Sequence, residues 1–520
     1  MFSSRKLALT SRPAMAALQL PAPVGGLNLH SGIAEMAKDE ALILDNWFPA
    51  ANYCRVRGGY TSHVTGIGSS VGTLMEHAGK SARKLFAATA TAIYDVSSAG
   101  AVGAAVVSSL TNAYWQSTMF TTTGGQFLVM CNGADSVRNY DGTSWTTPAI
   151  TGVTSADLIN VWSYKTRLWF VEKDSTKAWY LGTGSIAGAA TALEMGDKFK
   201  LGGKLRIICS VSHDAGSGPE EYICFISSRG EIVVYVGSDP ADATWKIVGN
   251  YYAAAPIGNR AICRIDGDVA LLTEKGVMSM RQLASGGQTA AERQAITNKI
   301  DLGIINDFAS YGSNTGWEMV VHQRTRQMIV NVPKSSSTAT QYAMNVQTGA
   351  WCTYGRYDSA INATTWGQLS EDLYFATSSG TIYKAESGYQ DAGSSITARC
   401  KTSFQELASG GLFKVSMVRP LFTAGGRIIP GIRVNVDYRN DVPTSSDQYP
   451  GVSGSAGAVW DTDLWDTGLW GDSEAPYADW VAAHGIGTTA SIHMITQTTG
   501  MEARLNAIDV KIERSKGVAL

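Results

Sequence analysis

The chain has 520 residues, more than one hydrophobic core organises and enough for two or three domains. Charged residues make up only 17% of it and hydrophobic residues 44%. So little charge on a chain able to fold points to a surface that meets other protein surfaces. Its 42 basic and 44 acidic residues leave a net charge of −2, and the basic ones are scattered. That excludes firm nucleic-acid binding by phosphate neutralisation, which needs clustered Lys and Arg.

Basic residues and an apolar flavour mark the first 23 residues, but Arg12 and Pro13 interrupt any apolar run before it reaches the length of a secretion signal. A flexible arm is the expectation there, and residues 1–60 are expected to form an N-terminal arm and platform segment. Helical periodicity is scarce. The best candidates are Ile33–Leu44, with Glu and Lys interspersed, and Thr289–Ile296. No stretch approaches the roughly 18 apolar residues of a membrane span, so none is expected.

From about residue 80 a loose repeat runs along the chain: a hydrophobic strand, a small polar turn, then a second strand carrying an aromatic or Met. Its instances are Leu85–Tyr94, Phe127–Tyr140, Arg167–Tyr180, Tyr222–Tyr235, Val269–Met278, Gln327–Met344 and Leu373–Tyr383. The last residues of successive instances lie 46, 40, 55, 43, 66 and 39 apart. Propeller blades of four strands recur at about 40 to 50 residues. One such sheet cannot bury both faces by itself, so blades stack radially. Hairpin signals fall between the markers at Tyr140-Asp-Gly-Thr-Ser-Trp145, Ala243-Thr-Trp245 and Gln347-Thr-Gly-Ala-Trp351. The glycines supply the positive φ of a tight turn, and the following Trp supplies a ring to wedge between blades. A β-propeller is therefore expected over 61–395.

Beyond residue 396 the pattern changes. Ile432–Tyr438 and Ala507–Glu513 alternate apolar and polar, the sign of strands with one solvated face. Residues 396–520 are expected to form a C-terminal β-sandwich-like domain, giving an all-β chain. Within it lies Val459-Trp-Asp-Thr-Asp-Leu-Trp-Asp-Thr-Gly-Leu-Trp-Gly-Asp472. Its Asp461, Asp463, Asp466 and Asp472 lack the Gly-then-Glu frame of a calcium loop. Trp460, Trp465 and Trp470 are better read as anchors of an intersubunit contact, because Trp is enriched at binding hot spots.

Catalytic patterns are missing. No two histidines stand at ligand spacing, and no phosphate-cradling GxxxxGK[ST] loop occurs. Ser238–Trp245 only caricatures the turn box of sialidase propellers, and no three arginines cluster to hold a carboxylate. The seven cysteines are odd in number, at least 15 apart and without a CxxC pair, as buried free thiols would be. The expectation is a chain with no enzyme activity, cofactor or metal.

The most distinctive stretch is Pro23–Tyr60. It reads Pro-Val-Gly-Gly-Leu-Asn-Leu29, then Ala41-Leu-Ile-Leu-Asp-Asn-Trp-Phe-Pro49, then Cys54-Arg-Val-Arg-Gly-Gly-Tyr60. This resembles the opening of the tail nozzle (tail tubular or hub) proteins of short-tailed bacteriophages. Ile296-Thr-Asn-Lys-Ile300 and the strand Leu505–Glu513 also resemble parts of that family. The resemblance implies a structural virion protein made in the host cytoplasm. It would form a homohexameric ring beneath the tail adaptor, with tail fibres or needle proteins as neighbours and double-stranded DNA passing transiently during packaging and ejection. Asn46, Trp47, Phe48, Arg55 and Arg57 are then candidates for an intersubunit or adaptor contact. For Trp47 and Phe48, filling a core is an equal reading. The alternative function is a propeller that binds or cleaves glycans at the host surface.

Overall fold

A computed structural model of the chain describes residues 15–80, 82–214, 219–265, 267–283, 295–408, 411–443, 452–453 and 474–514. Two compact units emerge. One comprises Gly58–Arg356 and Ala360–Ala392; the other comprises the chain up to Arg57, Tyr357–Ser359 and Gly393 onward.

The first unit is a β-propeller with seven blades among the described residues. Blade 1 runs through Val71–Ala78, Arg83–Thr89, Ala92–Asp95 and Val107–Ser108, each strand antiparallel to the next. Blade 2 (Gln116–Thr122, Gly125–Cys131, Arg138–Tyr140, Trp145–Thr146) repeats this meander. So do blade 3, from Leu158–Tyr164 to Thr191–Glu194, and blade 4, from Leu205–Asp214 to Lys246–Tyr252. Blade 5 shows three strands, Ile262–Ile265, Asp268–Thr273 and Gly276–Ser279. Blade 6 runs from Glu318–His322 to Trp351–Tyr354.

Blade 7 takes three strands from Thr365–Ala385 and its fourth from Tyr60–Thr65, where Ile382 pairs with Val64. The two ends of the propeller segment thus share one sheet, which closes the ring and leaves no open end to propagate. The first strands of neighbouring blades pack side by side from Val71–Ala78 through Gln116–Thr122 and Leu158–Tyr164 to Leu205–Asp214. They do so again from Ile262–Ile265 through Glu318–His322 and Thr365–Leu369 back to Val71–Ala78. First strands therefore line the axis. Where blades 7 and 1 meet, a Cβ on Gly367 would stand 2.5 Å from the Leu74 Cβ, so only glycine allows that approach.

All seven hairpins of the sequence repeat are the second and third strands of their blades. These strands supply much of the core between blades: Leu85, Ala87 and Tyr374 between blades 7 and 1, and Phe170, Cys131 and Val129 between blades 2 and 3. Trp145 of blade 2 meets Phe86 of blade 1 edge-on at 4.9 Å, and Trp245 of blade 4 stacks on Trp169 of blade 3 at 5.6 Å. Both rings bridge neighbouring sheets, as the hairpin signals led us to expect. Asp301–Tyr311 is helical, with Asp301 in the first turn, where negative charge favours the helix dipole. Its Asp307 accepts a 2.6 Å hydrogen bond from the Tyr342 hydroxyl in blade 6.

The second unit is built on two sheets. One joins Met15–Pro21, Trp47–Pro49, Cys54–Val56, Phe413–Ala424, Ala475–Tyr477, Val481–Gly487 and Ala503–Arg514. Met15–Pro21 pairs antiparallel with Ala507–Glu513, so early and late segments of the chain lie side by side. The other sheet includes Glu40–Asp45, Ile396–Thr402, Ala490–Thr499 and Gly431–Val436. A Cβ on Gly485 would fall 2.8 Å from Val436 and 2.9 Å from Val434, a close approach of the two sheets.

Two expectations are corrected. Ile33–Leu44 is not a helix: turns lead into the strand Glu40–Asp45, buried at both ends. Its run Ala-Leu-Ile-Leu suits a strand covered on both faces as well as a helix, and tertiary burial decided between them. Nor is Met15–Pro21 a flexible arm, since it is a strand of the second unit. Most of Thr289–Ile296 lies outside the described residues. Among the described residues all seven cysteines are free, and Cys263 alone is half-buried rather than buried. Burial pushes the Cys263 and Cys400 thiols up to about 12.

Candidate functional site

The residues singled out near the N-terminus form a buried knot in the second unit. Asn46 sits at the turn between Glu40–Asp45 and Trp47–Pro49 with φ of 57°, a left-handed conformation that Asn tolerates better than most residues. Its Nδ2 donates to the carbonyls of Asp358 at 2.7 Å and Thr397 at 2.8 Å. Its Oδ1 accepts from Arg57 Nε at 2.8 Å, and Arg57 Nη2 donates to the Ser359 carbonyl at 2.9 Å. Asn46, Trp47, Phe48 and Arg57 are all buried, Trp47 stacking on Phe422 at 6.3 Å.

A contact role for those four is therefore corrected. Their side chains are consumed inside the unit, and the core reading of Trp47 and Phe48 holds. Arg55 is half-exposed, its guanidinium 5.0 Å above the Phe48 ring. Trp460, Trp465 and Trp470 lie outside the described residues. Asn28, which closes the Gly-Gly-Leu-Asn element, is also structural: it accepts from the amides of His30 and Ser31 and donates to Glu40 at 2.7 Å.

Sequence reasoning missed a cavity of about 350 Å³ in the propeller. Apart from Asn132, which follows the second strand of blade 2, its walls come from residues at or just before the first strands of blades 2 to 6, so it sits at one end of the axis. Arg260 donates through Nη1 to the Gly72 carbonyl at 3.0 Å and pairs with Glu318 at 3.1 Å, while its guanidinium lies 5.5 Å over the Tyr114 ring. Burial raises the Glu318 carboxyl above its ordinary range, and Arg260 opposes that shift. Arg206 donates through Nε to Asn259 at 3.1 Å and through Nη1 to the Pro256 carbonyl at 3.4 Å. Burial lowers its pKa, a sign that its charge is poorly solvated. Two buried nitrogens, Arg260 Nη2 and Gln116 Nε2, have no acceptor among the described residues. No carboxylate is among the residues lining this cavity.

Strand order and axial packing define an all-β protein made of a β-propeller and a further two-sheet β unit. No protein-family model and no curated protein matches the chain. Among solved structures it is similar to the computationally designed Ika8 protein, at 10% identity over 69% of this chain and 98% of that one, TM-score 0.34. It is also similar to BBS1N in a complex with ARL6DN, at 13% identity over 65% and 100%, TM-score 0.40. The WD40 β-propeller domain of Doa1 matches at 9% identity over 63% and 96%, TM-score 0.37. Likeness this loose carries nothing about function. Among the described residues there is no group of three or more potential metal ligands, and no helix is long and apolar enough to cross a membrane.

Proposed function

We propose that the chain is a structural subunit of a short-tailed phage tail, a nozzle protein whose ring conducts and retains the genome during packaging and ejection. In this reading it is a non-enzymatic homohexamer that docks beneath the tail adaptor, with fibres or needle proteins attached to it. The observation that carries the reading is the Pro23–Tyr60 segment. Its quoted polar residues Asn28, Asn46 and Arg57 each hold a turn or a buried connection within the second unit. They act as a signature of architecture, which is what a resemblance to a structural family needs. Low charge suits a subunit whose flanks meet copies of itself in a ring closed by rotation.

The test is the mass of the purified protein by light scattering, alone and mixed with a portal–adaptor complex. A ring of six, or a monomer that becomes one only on the adaptor, is the expected result. A stable monomer indifferent to the adaptor overturns the proposal.

A further inference from the structure

We propose that the axial cavity of the propeller is a binding site for a small oxyanion, a carboxylate or phosphate carried on a body about the size of one sugar unit. Three observations within the propeller point to it. First, its lining contributes two guanidinium groups, those of Arg206 and Arg260, and no carboxylate. Glu318 behind Arg260 offsets one of those charges. Arg206 has no carboxylate partner among the described residues and rests only on neutral oxygens of Asn259 and Pro256.

Second, the cavity is short of acceptors. Arg260 Nη2 and Gln116 Nε2 are buried donors with no acceptor among the described residues. A buried donor left unpaired keeps the full cost of its lost hydration. A ligand rich in lone pairs relieves that cost, and a cation or a donor-rich ligand does not.

Third, the shape and lining fit a compact ligand. A volume of about 350 Å³ lies at the small end of ligand pockets, which start near 300 Å³. The guanidinium groups would hold an oxyanion by charge-assisted, fork-shaped hydrogen bonds. Asn112 and Asn132 tie the rim by exchanging bonds with each other's carbonyls at 3.1 and 3.2 Å, so the site is pre-formed. This inference concerns the isolated subunit and stands apart from ring assembly.

Isothermal titration of the full chain at low salt tests it, with glucuronate, glucose 6-phosphate and neutral glucose as probes. One or both anions should bind, and glucose should bind at least tenfold more weakly, a difference of about 1.4 kcal/mol. Binding of glucuronate alone assigns a carboxylate ligand, and binding of glucose 6-phosphate alone a phosphate. Losing a charged hydrogen bond should make Arg206→Gln weaken binding roughly ten- to a hundredfold with an unchanged melting temperature. Should that variant melt early, Gln116→Leu, which removes one unpaired donor, should weaken binding by a smaller factor. Absence of binding by both anions, equal binding of glucose, or undiminished binding by a folded Arg206→Gln or Gln116→Leu variant overturns the proposal. Light scattering reads ring assembly separately, so failure here leaves the nozzle reading standing, and the reverse.

Discussion

Replacing Asn46 with Ala removes several supports at once. Two carbonyls, of Asp358 and Thr397, lose a donor, and Arg57 Nε loses the oxygen 2.8 Å away. Each neutral hydrogen bond is worth about 1 kcal/mol net, and the one to the buried guanidinium about 2 kcal/mol. Ala at φ of 57° adds about 1 kcal/mol of backbone strain that Asn tolerates better. The sum is about 5 kcal/mol, comparable with the whole stability of a typical domain. Asn46→Gly keeps the turn and should recover about 1 kcal/mol of that loss. Asn46→Asp can still accept from Arg57, but it presents oxygens to two carbonyls and should fall near Asn46→Ala.

Because the chain holds two units, one melting curve is not a two-state measurement. The assay is urea unfolding combined with hydrogen exchange of the Ile396–Thr402 amides, which report the second unit. Loss of protection there, with the propeller amides unchanged, is the expected pattern. A destabilisation by Asn46→Ala below about 1 kcal/mol, or no advantage of Gly over Ala, would refute the reasoning.

Ile382, fully buried and paired with Val64 across the ring closure, should lose about 2 to 5 kcal/mol as Ile382→Ala, read by urea unfolding of the propeller. His493 is buried, and burial depresses its pKa from 6.5 to about 4, with Lys401 and Arg399 nearby as minor contributors. Its folded pKa lies below the unfolded one. Its contribution, at most about 3 kcal/mol, is full above pH 6.5 and is lost as pH falls towards 4. His493→Gln should therefore flatten the stability difference between pH 7 and pH 4.5 relative to the wild type. Trp465→Ala combined with Trp470→Ala should weaken assembly in light scattering while the propeller still melts cooperatively. Normal assembly, or loss of all cooperative melting, would count against an interfacial role for that loop.

Much of the fold was legible because the propeller's repeat is local. Each hairpin from Leu85–Tyr94 to Leu373–Tyr383 carries its own strand pattern and turn, and all seven are central strands of blades. Closure of the ring was not legible. It pairs Tyr60–Thr65 with Ile382–Ala385, more than 300 positions away, and nothing in either segment names the other. The second unit was half legible. Alternation identified strands after residue 396, while Glu40–Asp45, covered on both faces by the fold, offered no period to separate strand from helix.

The same geometry explains why the N-terminal motif could be read and the axial cavity could not. Asn28, Asn46 and Arg57 stand within one short stretch, and although Asn46 and Arg57 also reach carbonyls more than 300 positions away, their own spacing is visible as a pattern. A propeller builds its axial site differently, taking one or two residues from the start of each blade. Arg206 belongs to blade 4 and Arg260 precedes the first strand of blade 5, so about one blade length separates them in sequence. Searching for arginines close together therefore finds nothing, although the fold brings these two to one cavity. Any site on a propeller axis is spread in this way. A better search looks for polar residues recurring at whole-blade intervals at or just before first strands, which is where Gln116, Arg206 and Arg260 stand.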